Sequence, residues 1–135
     1  MAIAPARYRD AVRAAAELAW ARLRLGRMSA REIHALGAGS GDAALDAQGE
    51  AIVRRVAHVI PRVAARLPWR ADCLVQALAA RRWLAGAGIA AALELGARTG
   101  DGFAAHAWLR AGGMIVTGGD ITGYAPFSPN GEIGS

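Results

Sequence analysis

Residues 72–95, DCLVQALAARRWLAGAGIAAALEL, contain the change of pattern that decides the fold. Leu74, Ala77, Leu78 and Leu84 recur at helical spacing, and Gly86 and Gly88 close that helix. Immediately afterwards the repeat shortens to alternation, with Ile89, Ala91, Leu93 and Leu95 on one side as in a half-buried strand. Phe103, Ala105, Ala107 and Leu109 alternate in the same way. Met114 to Thr117 then reads as a short strand, joined to its predecessor by a turn at Ala111-Gly112-Gly113. Helices followed by hairpin-linked strands predict an α+β fold with a short antiparallel sheet.

Upstream of this stretch the pattern is helical throughout. From Ala6 to about Leu25 the positions Tyr8, Val12, Ala15, Ala19 and Leu23 form an apolar stripe expected to face the core. Arg7, Arg9, Arg13 and Glu17 fall largely off it, and Gly26 ends the helix. Ser29-Ala30-Arg31-Glu32 is a capping box opening a short helix through Ile33 and Leu36. Gly37-Ala38-Gly39-Ser40-Gly41 is expected to be an exposed loop. A further helix should run from about Ala43 to Arg66 with Ile52, Val56, Val59, Ile60 and Val63 inward. Pro61 is expected to kink or split it near His58. The 135 residues carry no repeat and fit one domain, with a helical part over 1–66, a core over 67–124 and a loose tail over 125–135.

Composition narrows the chemistry. Hydrophobic residues make up 54% of the chain, which excludes global disorder. The net charge of +5 comes entirely from arginine and favours an acidic partner. The arginines are dispersed, without a dense basic run or a nucleic-acid motif, so no nucleic-acid partner is expected. One cysteine excludes an internal disulfide, and three scattered histidines give no zinc spacing, so no metal or cofactor is expected. Neither a signal peptide nor an apolar run long enough for a membrane span is present, which points to a reducing cytoplasm where a lone thiol stays usable.

That lone thiol, Cys73, lies just after Asp72, a candidate N-cap, and therefore in the first turn of its helix. A free thiol is mostly protonated at neutral pH, whereas the thiolate is the nucleophile. The positive end of a helix dipole and a neighbouring imidazole both favour the thiolate, and a carboxylate can hold the imidazole in the useful tautomer. The chain offers these groups in order: Cys73 at a helix start, His106 on a following strand and Asp120 after Gly118-Gly119. Adjacent antiparallel strands can bring His106 and Asp120 together against the helix terminus. Each residue also has a plainer reading: a buried small hydrophobe for Cys73, a half-buried histidine beside Trp108, and ordinary Gly-Gly-Asp turn chemistry for Asp120. His34 and His58 read as structural, and Trp20 and Trp83 as core or rim aromatics.

From Leu67 to Asp120 the chain resembles the lasso peptide biosynthesis B2 proteins, leader peptidases with a transglutaminase-like or papain-like core. The resemblance rests on Leu67-Pro68-Trp69, Cys73-Leu74 with Ala77-Leu78-Ala79, Gly86-Ala87-Gly88-Ile89 and Leu93-Glu94-Leu95-Gly96. It continues through Phe103-Ala104-Ala105-His106-Ala107-Trp108-Leu109 and Gly119-Asp120. It implies a cysteine protease that cleaves the leader from a lasso precursor before an ATP-dependent cyclase closes the ring. Cys73 would be the nucleophile, His106 the base and Asp120 the orienting carboxylate, with Trp69 and Trp108 beside the substrate. The Cys73 backbone N–H is the natural oxyanion donor; a second donor is not identifiable, since no glutamine precedes Cys73 and Gln76 lies inside the helix. The family commonly has an acidic residue after the Ala-Trp segment, where this chain has Leu109-Arg110. Residues 1–66 carry no strand set for a fused recognition domain. The resemblance is therefore to the split form, whose partners would be the precursor leader, a separate leader-recognition protein and the cyclase. Two other readings stay open: an amidase or acyltransferase on the same fold, and a non-catalytic peptide-binding assembly subunit.

Overall fold

The structure is a computed structural model and describes residues 5–37, 41–69, 71–98, 104–119 and 121–126. Four helices are followed by strands: α1 (Pro5–Leu25), α2 (Ala30–Ala35), α3 (Ala47–Ala64), α4 (Cys73–Gly86), β1 (Ala92–Arg98), β2 (Ala104–Ala111), β3 (Met114–Thr117) and β4 (Ala125–Pro126). The strands form one antiparallel sheet in the order β3-β2-β1-β4. The α+β architecture expected from the change of period is the one observed.

Side-chain chemistry fixes most boundaries. Ser29 Oγ accepts the Glu32 N–H at 3.1 Å and caps α2. Asp46 Oδ1 accepts the Gly49 N–H at 2.7 Å, so α3 begins later than its apolar pattern. At the other end of α4, Gly88 takes φ +77, and the chain turns so that the Ile89 N–H reaches the Leu84 carbonyl at 2.9 Å. Gly112 and Gly113, at φ +58 and +74, supply the two left-handed positions of a tight β2–β3 hairpin.

The core lies between α1, α3 and α4 and the near face of the sheet, with Leu18, Val53, Val56, Ile60, Leu84, Leu93 and Leu109 fully buried. Four expectations need correction. First, α3 runs through Pro61 to Ala64 without splitting. Pro61 has no N–H to offer the Ala57 carbonyl, so the helix continues through its last turn with one ladder bond missing. Second, Gly41 is buried, and its carbonyl accepts the Gly113 N–H at 3.0 Å, which seats the end of the glycine-rich segment on the hairpin turn. Residues 38–40 lie outside the described residues. Third, Ala125 and Pro126 pair with Ala97 and Gly96 at the sheet edge, so the tail is ordered at its start.

The fourth correction concerns α1. Its buried side chains are Ala14, Leu18 and Ala21, while Tyr8, Val12 and Leu23 are 63%, 52% and 75% exposed. The helix carries two apolar stripes, and the one with smaller residues faces inward. Both of its carboxylates are accommodated by that rotation. Asp10 reaches Arg55 of α3 at 3.7 Å, and the nearly buried Glu17 lies 3.8 Å from Arg82 of α4 and 3.7 Å from Arg13. Turning Tyr8 and Leu23 inward would strip Glu17 of Arg82 and demand room that the alanines do not need.

Candidate active site

Cys73 owes its position to Asp72. The Asp72 carboxylate accepts the Val75 N–H at 3.1 Å, and its carbonyl accepts the Gln76 N–H at 2.9 Å. Cys73 is thereby the first helical residue, half-buried, at the positive end of the α4 dipole. Its own backbone N–H has no intrahelical acceptor at that position. Gln76 Nε2 donates to the Ala71 carbonyl at 3.0 Å and ties the first turn of α4 to the segment before the cap.

Cys73 opens onto a cavity of about 460 Å³, lined also by His106, Gln76, Ala57, Pro61 and the run from Ile115 to Gly119. His106 enters from β2. Its Nε2 lies 2.7 Å from the Gly118 carbonyl oxygen. A carbonyl only accepts, so Nε2 carries a proton and donates it here, which leaves Nδ1 as the nitrogen that can take one. Gly118 can hold that carbonyl because it has no side chain. Its φ is +106, and a Cβ there would stand 2.5 Å from the Trp108 Cβ. Thr117 is 1% exposed on the same cavity, and its hydroxyl has no hydrogen-bond partner.

Behind His106 lie two aromatic rings and a charged hydrogen-bond network. Trp108 and Tyr124 stand 6.2 and 5.2 Å from the imidazole by ring centroids. Trp108 is completely buried, and its Nε1–H donates to Glu94 Oε1 at 2.7 Å. The same oxygen accepts Arg110 Nε at 3.0 Å. The Arg110 that stands where an acidic residue is common in the resembling family thus pairs with a carboxylate of β1.

The residues singled out from sequence are distributed unevenly over this arrangement. Cys73 and His106 share the cavity. Trp108 is a floor beneath the imidazole and presents no surface to a substrate, which removes it from the substrate-contacting residues. Trp69 is half-buried with the Arg22 guanidinium 5.0 Å from its ring, and it does not line the cavity. Asp120 lies outside the described residues. Sequence reasoning set Gln76 aside and passed over Gly118 and Thr117. The spacing of Gln76, one turn after Cys73, was the available signal for a shared helix face. Among the described residues, no group of three or more His, Cys, Asp or Glu side chains is placed to hold a metal ion, and no helix is long and apolar enough to cross a membrane.

No curated protein and no solved structure matches the chain significantly. The family model of the Transglutaminase-like superfamily matches residues 14–130, a span that takes in both Cys73 and His106. The chain therefore belongs to the Transglutaminase-like superfamily, whose members are generally cysteine peptidases or acyltransferases.

Proposed function

We propose that the protein is a cysteine peptidase that removes the leader from a lasso peptide precursor, ahead of macrocyclisation by a partner cyclase. The observation that carries the reading is the shared cavity of Cys73 and His106, with Nε2 engaged by Gly118 and Nδ1 outside that hydrogen bond. The specific substrate rests on the Leu67–Asp120 resemblance. Its partners would be the precursor, a separate leader-recognition protein and the cyclase, in the cytoplasm.

Chemically, Nδ1 of His106 takes the Sγ proton, and the thiolate attacks the scissile carbonyl carbon. The Cys73 N–H stabilises the resulting oxyanion. The second N–H of Gln76, whose first is held by Ala71, is the donor we add beside it. The imidazolium then protonates the departing amine as the C–N bond breaks, leaving a thioester. Water, deprotonated by His106, cleaves the thioester and restores the thiol. Asp120 comes from the Leu67–Asp120 resemblance, as the carboxylate that orients the imidazole.

Mass spectrometry of the cognate precursor with its recognition protein tests the proposal. Wild-type protein should release leader and core at one bond with addition of one water, and Cys73→Ala should leave the precursor intact. Cleavage by Cys73→Ala would sink the proposal. A product joined to an added amine, in place of the hydrolysed acid, would assign acyl transfer instead.

A further inference from the structure

The outer face of α1 is unlike the rest of the surface. Tyr8, Val12 and Leu23 are the exposed large hydrophobics among the described residues, and all three fall on one stripe of one helix. Ala15, Ala16 and Ala19 fill the stripe between them, over roughly 22 Å of helix. Its borders are basic: Arg7, Arg9, Arg13, Arg22 and Arg24 are all exposed, with Arg24 paired to Glu32 at 3.3 Å and Arg13 to Glu17 at 3.7 Å, so the charge that a partner would meet is concentrated at Arg7 and Arg9. Asp10 and Glu17, the acidic residues of α1, are turned inward to Arg55 and Arg82. A helix apolar on two sides is normally covered on two sides.

We propose that this face docks a helix of another protein, one with an apolar ridge flanked by carboxylates. The alanines at its centre allow the close approach of helix axes that ridge-and-groove packing requires. Tyr8 and Leu23 serve as anchors at the two ends, and the arginine borders select the charge of the partner.

Two other occupants fit less well. Antiparallel pairing with a second copy sets Tyr8 opposite Leu23 but also Arg7 and Arg9 opposite Arg24 and Arg22. An anionic membrane would satisfy the arginines, yet an alanine-centred stripe without Trp or Phe gains little from insertion. At the C-terminal end of the stripe Arg22 stacks on Trp69, so the docked helix lies beside the segment that leads into Cys73.

The test uses the whole chain and a labelled helical peptide with a leucine ridge and glutamate flanks, followed by fluorescence anisotropy. The same peptide with lysine flanks, vesicles of phosphatidylglycerol and phosphatidylcholine, and sedimentation of the protein alone complete the set. The glutamate peptide should bind at least about tenfold more tightly than the lysine peptide. Its binding should weaken with salt, and should fall about tenfold or more in Tyr8→Ser/Leu23→Ser and in Arg7→Glu/Arg9→Glu. Thiol alkylation rate and circular dichroism should be unchanged in these variants. Equal binding of the two peptides, or binding indifferent to the variants, overturns the proposal. Vesicle binding lost in the variants assigns the face to a membrane, and a dimer lost in them assigns it to a second copy; either result also overturns it.

Discussion

Helices α1 and α4 pack against each other, and both are rich in alanine and leucine, yet they solve opposite problems. Helix α4 is enclosed by α1, α3 and the sheet, and it buries Val75, Ala77, Leu78, Ala79, Ala80, Trp83 and Leu84 around its circumference. Its N-terminus carries Cys73 into the cavity, where a capped helix end has directed N–H groups and a positive dipole. Helix α1 lies at the periphery, and among the described residues it is covered on one side only. Apolar content is therefore a poor guide to position. What separates the two helices is the number of neighbours, and where their polar residues can be satisfied.

Changes at the two helices should accordingly differ in kind. The largest effect belongs to the α4 terminus: Cys73→Ala should lower precursor cleavage by on the order of 10⁴-fold or more, with little change in urea unfolding, as single-turnover mass spectrometry would measure. Retained cleavage would place the chemistry elsewhere. Next comes the support of the base. Gly118→Ala should lose on the order of 100-fold in rate, and about 2 kcal/mol in stability, because the Cβ meets Trp108 at a left-handed φ. Its ¹⁵N spectrum should show His106 no longer held as the Nε2–H tautomer. Asp120→Asn should lose less, roughly tenfold to 100-fold, since the Gly118 carbonyl still orients the ring.

The remaining pair compares the two faces of α1. Leu18→Ala removes a fully buried side chain and should cost about 3 kcal/mol in denaturant unfolding. Leu23→Ala, five residues on and 75% exposed, should stay within about 0.5 kcal/mol. Equal costs would mean that α1 is rotated relative to the structure described.

The fold was largely legible because its signals are local. Ser29 with Glu32, Asp72 before Cys73, and Gly112-Gly113 each fix a backbone boundary through contacts within a few residues. The helix-start position of Cys73 and the strand position of His106 were legible for a similar reason: a capped helix start and an alternating strand are visible in the residues themselves. Gly118 was not. Its role depends on how far β3 slides along β2, where the register shifts between Leu109 and Arg110. Trp108 was misjudged because strand alternation gives the face of a residue but not what covers that face.

The sequence by itself determined the α+β order, the caps and the hairpin, since propensity, capping and period act over short chain distances. Only the tertiary structure decided which stripe of α1 faces inward, through Arg55 and Arg82 supplied by other helices. It also decided that a main-chain carbonyl meets His106 Nε2. Both outcomes come from groups remote in sequence competing for the same space and the same hydrogen bonds, and no local pattern records who the competitors are.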